Sequence, residues 1–260
     1  MVFKQSNFGE ILDSEREMVL RGEERFGAYY VNAVRFSELL ARFVKSAQPD
    51  RMIFALFLSQ VRKHHTLALF STVRLHRIQA MMDLRQTLEA GACSAYAIAN
   101  TDPADFADKD EDGILNPTQE LARKRYKWLE QNFAEASSAI RKIKEIINRS
   151  TAHSNIADAH LNFNFDAVNG HFDTPFFDFE DEHIVKSDLW LIANVAMGLI
   201  SLFVQVNDSF NVIVFADDLE GRLKELSAEN GRLRTEMMQT ERYQKVSGLL
   251  EKRAAQRSRP

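Results

Sequence analysis

An arginine and a histidine one helical turn apart are the residues whose types and spacing could act on a phosphodiester. Arg149 and His153 lie at the end of a long helix-forming stretch, and Ser150 lies between them. Side chains at positions i and i+4 share one face of a helix, so the guanidinium and the imidazole can contact the same ligand. The sequence therefore makes Arg149 and His153 the candidate catalytic pair, with Ser150 as a polar neighbour.

The same residues also have an interpretation without chemistry. Basic side chains are common in the last turn of a helix, where they interact with carbonyl groups that have no partner inside the helix. Asn155 follows and can cap such a helix end. The sequence leaves both interpretations open.

The sequence lacks the motifs of most familiar enzyme classes. It contains neither a glycine-rich phosphate loop nor a dinucleotide-binding fingerprint, and it has no Gly-x-Ser-x-Gly motif. Cys93 is the single cysteine and lies in an apolar helical pattern, which argues against a thiolate nucleophile. The net charge of −4 gives no general attraction to nucleic acid. One cysteine and an N-terminus without a signal-like apolar core predict a cytoplasmic protein.

A long stretch with few helix breakers predicts the deep part of a helical bundle. Residues 52–100 contain no proline and form either one helix or two helices with a break. His64, Arg85 and Glu89 fall on the face that we expect to be buried. Arg85 and Glu89 are spaced to form an internal ion pair. The alternative is that all three join His153 in a polar pocket.

An acidic loop resembles the first nine positions of an EF-hand calcium loop. Asp108, Asp110 and Asp112 occupy the first three ligand positions, and Gly113 allows the turn. The match fails at the twelfth position, where Gln119 replaces the bidentate glutamate. The loop is therefore either a calcium site or an acidic surface turn, and otherwise no cofactor is expected.

Residues 118–148 are predicted to form one long helix. Thr118 follows Pro117 and can cap the helix start, and apolar residues at helical spacing, Tyr126 among them, are candidates for the core.

Two further segments set the expected architecture of the domain. Alternation of polar and aromatic residues around an Asn169-Gly170 turn predicts a β-hairpin at about 160–180. The apolar residues 189–206 approach the length of a membrane span, but we expect them to form the central helix of a bundle rather than a membrane contact.

The tail has the heptad pattern of a two-stranded coiled coil. Leu219, Leu226 and Leu233 are seven residues apart, and Asn230 occupies the alternate core position with Leu223 and Met237. The pattern predicts a homodimer through a coiled-coil tail, 217–260, attached to a helical-bundle domain, 1–216. The alternative is an amphipathic helix that folds back on its own domain.

The order of these motifs resembles bacterial all-helical proteins of the HEPN superfamily. The resemblance covers roughly residues 50–215. It rests on a long apolar helix carrying Arg85-x-x-x-Glu89, a variable acidic loop, a second long helix and then Ser150-Thr-Ala-His153. The superfamily usually has four to six residues between its arginine and histidine, whereas this chain has three.

The resemblance implies a metal-independent endoribonuclease of bacterial defence or stress response. In that superfamily an arginine and a histidine meet across a homodimer to cleave RNA. The implied roles here are general base for His153 and charge stabilisation for Arg149. RNA and a protein antitoxin are the implied partners.

The sequence thus predicts an all-α protein, a helical bundle with a small β-hairpin and a C-terminal coiled-coil helix. It leaves open whether the protein is an enzyme. The alternatives to the RNase are a dimeric scaffold or interaction module and a calcium-responsive helical protein.

Overall fold

The protein is built almost entirely from helices, as the sequence predicts. The computed structural model describes residues 2–3, 7–150, 163–166, 171–173, 175–245 and 247–248. The helices are α1 (Phe8–Leu20), α2 (Gly22–Phe26), α3 (Ala28–Arg42), α4 (Met52–Val73), α5 (Arg77–Ala99), α6 (Gln119–Asn132), α7 (Ala134–Ser150), α8 (Glu182–Phe210) and α9 (Leu219–Gln239). The strands are β1 (Val2–Phe3), β2 (Val44–Ala47), β3 (Asp108–Lys109), β4 (Leu115–Asn116), β5 (Asn164–Asp166), β6 (His171–Asp173) and β7 (Ile213–Phe215).

Helix α8 is the centre of the bundle, with α3, α4 and α5 packed around it. It is long and apolar enough to cross a membrane by length and composition alone, and 56% of its most apolar window is buried inside the protein. Gly91 of α5 permits close packing, since a Cβ atom there would lie 2.5 Å from Leu199 Cδ2. The position of α8 agrees with the predicted central helix.

Two predicted helical stretches are interrupted by residues with non-helical backbone. Leu75, between α4 and α5, has a φ of 60°, a left-handed conformation that is uncommon for a residue with a branched side chain. Phe133, between α6 and α7, has φ −141° and ψ 58°. The break after α4 matches the two-helix alternative, whereas the prediction of one helix over 118–148 is wrong at Phe133.

Helix α9 packs against α3 and α8 of its own chain. Its heptad residues Leu219, Leu226, Asn230, Leu233 and Met237 are buried there. The indole of Trp190 donates to the Asn230 carbonyl at 2.9 Å, and the Tyr29 hydroxyl donates to the Leu233 carbonyl at 2.9 Å. These contacts correct the coiled-coil prediction, since the side chains that would meet a partner helix already cover the bundle.

The two strands of the predicted hairpin are present, whereas its predicted Asn169-Gly170 turn lies outside the described residues. Strands β5 and β6 pair antiparallel, with Phe165 opposite Phe172, and β1 adds to β6 in parallel. A second pair of strands, β2 with β7, was not predicted. The side chain of Asn207 accepts hydrogen bonds from the amides of Val212 and Ile213. These bonds turn the chain after α8 and so bring β7 to β2.

Candidate functional site

The candidate catalytic residues lie at the end of α7. Arg149 and Ser150 are its last two residues. His153, together with the proposed cap Asn155, falls outside the residues that the structure describes. The structure places the backbone of Arg149 in the last turn of α7, and the pairing of Arg149 with His153 stays a prediction.

A cavity of about 240 Å³ lies along α7, and the residue before Arg149 is the last that lines it. Its lining on this helix repeats at intervals of three and four residues, so these side chains share one face. The lining consists of Ser137, Arg141, Lys144, Glu145 and Asn148 from α7 and Tyr126 from α6. Asn148 is the sequence neighbour of Arg149, so the cavity and the candidate catalytic end of the helix are adjacent.

Lys144 links the cavity to the bundle. Its ammonium donates to Glu89 Oε1 at 2.9 Å and to the Tyr126 hydroxyl at 2.9 Å, and it lies 4.8 Å from the centre of the Tyr126 ring. Burial by itself disfavours the charged form of Lys144, but the contacts with Tyr126 and Glu89 outweigh burial and raise its pKa. Lys144 is therefore held as a cation at the cavity wall.

The predicted ion pair between Arg85 and Glu89 is confirmed. Arg85 Nε donates to Glu89 Oε1 at 3.2 Å, although about a third of each side chain is exposed. Burial favours the neutral form of Glu89, but the hydrogen bonds and charges of Lys144 and Arg85 lower its pKa overall. Glu89 thus connects Arg85 to α7, the helix whose last turn contains Arg149.

His64 has a different partner from Arg85 and Glu89. Its Nδ1 donates to Asp83 Oδ1 at 2.9 Å, and Gln79 donates to the other oxygen of the same carboxylate at 2.8 Å. The proposed polar pocket of His64, Arg85 and Glu89 also needs His153, which lies outside the described residues, so it stays a prediction. Asp83 is buried, so His64 supplies one of the two donors that this carboxylate needs in the bundle.

Cys93 lies on the bundle side of the same region. Burial raises the pKa of its thiol, and Arg125 opposes that rise through its charge and a hydrogen bond. A thiol with a raised pKa is a poor nucleophile near neutral pH. This agrees with the sequence argument against cysteine chemistry.

The acidic loop forms a tight hairpin between β3 and β4. Asp110 Oδ1 accepts from the amides of Asp112 and Ile114 at 3.1 and 2.8 Å, and Gly113 has a φ of 78°. Within the described residues, no group of three or more His, Cys, Asp or Glu side chains is placed to hold a metal ion. Calcium binding by Asp108, Asp110 and Asp112 stays a prediction.

Sequence reasoning misses two features of the site region. The helical pattern assigns Tyr126 to the core as an apolar residue, and no motif singles out Lys144. Their signal is present in the sequence, because Arg141, Lys144, Glu145 and Asn148 form a polar stripe at helical spacing. Such stripes normally face solvent, so the spacing alone does not indicate a cavity.

Comparisons with known proteins supply no further identification. Searches of family models, curated proteins and solved structures find no match to this chain. The HEPN resemblance therefore rests on the residues quoted for it.

Proposed function

We propose that this protein is a HEPN-like, metal-independent endoribonuclease whose reaction centre is formed at the end of α7 by Arg149 and His153. The observation that carries the proposal is the position of Arg149. It follows Asn148, the last residue of α7 that lines a cavity containing two cations, one carboxylate and three neutral hydrogen-bonding side chains.

The chemistry follows from the two residue types. His153 takes the proton of a ribose 2′-hydroxyl, because neutral imidazole is a base near neutral pH. The 2′-oxygen then bonds to phosphorus and the bond from phosphorus to the 5′-oxygen breaks, which leaves a 2′,3′-cyclic phosphate. The 5′-oxygen takes a proton from water, and His153 returns its proton to solvent. Arg149 stabilises the charge that builds on the phosphoryl oxygens.

Two features of the surroundings support this assignment. Glu89 and Lys144 tie α7 to α5, so the helix that carries Arg149 is anchored close to its end. Ile147 is 1% exposed and packs in the core two residues before Arg149. A catalytic side chain is most accurately placed when it stands on a rigid element with a packed base.

The homodimer belongs to the same proposal, since the resemblance implies that Arg and His meet across two copies. The heptad face of α9 is occupied within the chain, so the proposed interface lies on the bundle instead. Cytoplasmic location and a protein antitoxin are further parts of the proposal that come only from the sequence.

The test is cleavage of single-stranded RNA by the purified full chain, with and without a chelator. His153→Ala and Arg149→Ala should each lower the rate by ~10²-fold or more, since general-base and charge-stabilising groups typically contribute that much. The chelator should leave the wild-type rate unchanged.

Matched control variants separate chemistry from folding. His183→Ala on α8 and Arg123→Ala, an exposed residue of α6, should cleave at the wild-type rate. All four variants should keep the wild-type melting temperature within a few degrees. If the wild type leaves RNA intact, or if both active-site variants cut as well as the controls, the nuclease is refuted and the non-enzymatic interaction module replaces it.

A further inference from the structure

Helix α1 lies on the surface of the bundle, and none of its residues is buried. Polar contacts hold it in place. Glu15 accepts hydrogen bonds from Arg74 at 3.2 Å and from His76 at 2.9 Å. Arg25 donates to the Met18 carbonyl at 3.3 Å. These contacts fix α1 while leaving much of its apolar surface in solvent.

A groove of about 530 Å³ lies between α1 and α4, and we call it the α1 groove. Its lining is mostly apolar and includes Leu12, Val19 and Leu20 of α1 with Leu67 and Phe70 of α4. Phe8 precedes Leu12 by one turn on the same side of the helix. Phe8, Leu12 and Leu20 are each more than half exposed. Large apolar side chains exposed together around a groove indicate an interaction surface.

The exposed charges beside the groove are of both signs. Arg16 lines the groove, Asp13 lies three residues before it, and both side chains are exposed. Within the described residues neither of them forms an ion pair. With four carboxylates and one guanidinium, α1 as a whole is acidic, so an anionic lipid surface is disfavoured as its partner.

This face of α1 is complementary to itself. In an antiparallel pair of helices related by a two-fold axis, residues equally far from the axis face each other. An axis at the middle of α1 brings Arg16 opposite Asp13 of the partner subunit. The same axis brings Leu20 opposite Gly9 of the partner subunit, where the absence of a side chain leaves room for the leucine. Phe8 then lies at the end of the partner's groove.

The groove is large enough for that phenylalanine. An apolar cavity of about 150 Å³ holds a benzene ring, so a groove of about 530 Å³ has room for the ring of Phe8. One face of α1 therefore carries a protruding aromatic side chain, a groove that fits it, and two opposite charges at matching distances from the axis.

We infer that the α1 groove is the interface with a second copy of this chain, in which two α1 helices pack antiparallel across a two-fold axis. Phe8 of each copy enters the groove of the other, and Arg16 pairs with Asp13 of the partner subunit at two symmetry-related places. A helix of 13 residues is about 20 Å long, so the interface is at the small end of the range for specific complexes. We therefore expect the dimer to form at micromolar concentrations. The inference goes beyond the proposed function, because this association needs neither RNA nor Arg149 and His153.

The experiment measures the mass of the full chain by sedimentation velocity over a range of concentrations. The wild type should change from monomer to dimer as the concentration rises. Asp13→Arg should raise the dissociation constant by ~10-fold or more, because it opposes like charges at both symmetry-related places. Arg16→Asp should do the same. The double variant Asp13→Arg with Arg16→Asp should return to within a few-fold of the wild type, since exchanging the two charges forms the pairs again.

A second variant tests the apolar part of the interface. Phe8→Ala should raise the dissociation constant by at least ~10-fold, because a ring is lost from both grooves. Two matched controls should dimerise as the wild type does. They are Glu38→Arg, an exposed residue of α3, and Phe210→Ala, an exposed residue at the end of α8.

The results that overturn the inference are distinct. A wild type that stays monomeric at ~1 mM would overturn it, and the groove would then be the site of a different partner. A dimer that Asp13→Arg leaves unchanged, a double variant no tighter than the single ones, or an equal loss in Glu38→Arg would each overturn it as well. A thermal melt of each variant, expected within a few degrees of the wild type, shows that lost association is not lost folding.

Failure of this interface and failure of the nuclease can be told apart, because the mass is measured without RNA. A wild type that dimerises through the α1 groove but leaves RNA intact overturns the nuclease alone. A wild type that cleaves RNA while Asp13→Arg and Phe8→Ala keep its dimer overturns the interface alone.

Discussion

Polar groups in the bundle interior and polar groups beside the α7 cavity are paired in different ways. In the interior, His65 contacts Ser37 Oγ through Nδ1 and the Ile192 carbonyl through Nε2, both at 3.0 Å. Beside the cavity, Tyr126 and Lys144 bond to each other on one side and line open space on the other.

The difference separates polar residues that specify a fold from polar residues that can meet a ligand. A buried imidazole whose two nitrogens are both engaged has no capacity left for another molecule. A tyrosine whose oxygen accepts one bond still carries a donor. In this protein, a polar side chain beside an open cavity is therefore a better indicator of a binding site than a residue type such as histidine.

Helix α9 belongs to the interior in this comparison, and the largest expected effect tests that assignment. Leu226 is 1% exposed against the bundle, so Leu226→Ala should lower the free energy of unfolding by about 2–5 kcal/mol in urea denaturation. The half-buried Leu223 on the same helix is the matched control, and Leu223→Ala should cost less. The oligomer mass seen by light scattering should stay unchanged in both.

A small stability change in Leu226→Ala, together with a fall in mass from dimer to monomer, would contradict the assignment of α9 to the interior. The leucines of α9 would then contact a partner chain, as the coiled-coil prediction requires.

The elements of the fold could be predicted where a local sequence pattern determines them. The apolar run of α8, the Thr118 cap before α6 and the alternation along β5 and β6 are local patterns, and the structure contains the element that each predicts. The partner of α9 was not predictable, because leucines seven residues apart bury equally well against a second chain or against α3.

The site was predictable only in part. The pairing of Arg85 with Glu89 follows from spacing on one helix, and the structure contains it. The link from Glu89 to Lys144 joins two different helices, and no pattern within one helix indicates it. The choice of His64 for the buried face was wrong, since His64 is half-buried whereas the next residue, His65, is fully buried.

The pH dependence of stability tests the interior side of the comparison through His65. Burial lowers the pKa of His65 from 6.5 to about 4, although the Ile192 carbonyl acts in the opposite direction. The unfolded chain therefore binds a proton that the folded protein excludes as pH falls below 6.5. Stability should be complete above that pH and should decline by about 3 kcal/mol on approaching pH 4.

Urea denaturation across this range, in the wild type and in His65→Gln, measures the contribution of His65. The difference in slope between the two proteins isolates it from the carboxylates, which also titrate at the acid end. If stability changes with pH in the same way in both proteins, His65 accepts a proton in the folded state. It would then resemble the accessible polar groups beside the cavity rather than those of the interior.

The smallest expected effect tests the cavity side. Glu89→Gln removes the charge that faces Lys144 but keeps the shape of the side chain. Lys144 is 19% exposed and Glu89 is 34% exposed, so the pair lies between surface pairs, at about 0–1 kcal/mol, and buried pairs, at about 3–5 kcal/mol. We expect a loss of about 1–2 kcal/mol in the free energy of unfolding.

Glu182→Gln is the matched control for that variant. Glu182 also faces a lysine, Lys186 at 2.6 Å, but its side chain is 63% exposed and the change should be close to zero. A loss in Glu89→Gln as large as that of Leu226→Ala would show that the cavity wall contributes as much to stability as the interior does. A loss as small as that of Glu182→Gln would show that the fold does not depend on Lys144 being paired. In that case the ammonium is available to a ligand, and the cavity would attract anions more strongly than its charge pairing implies.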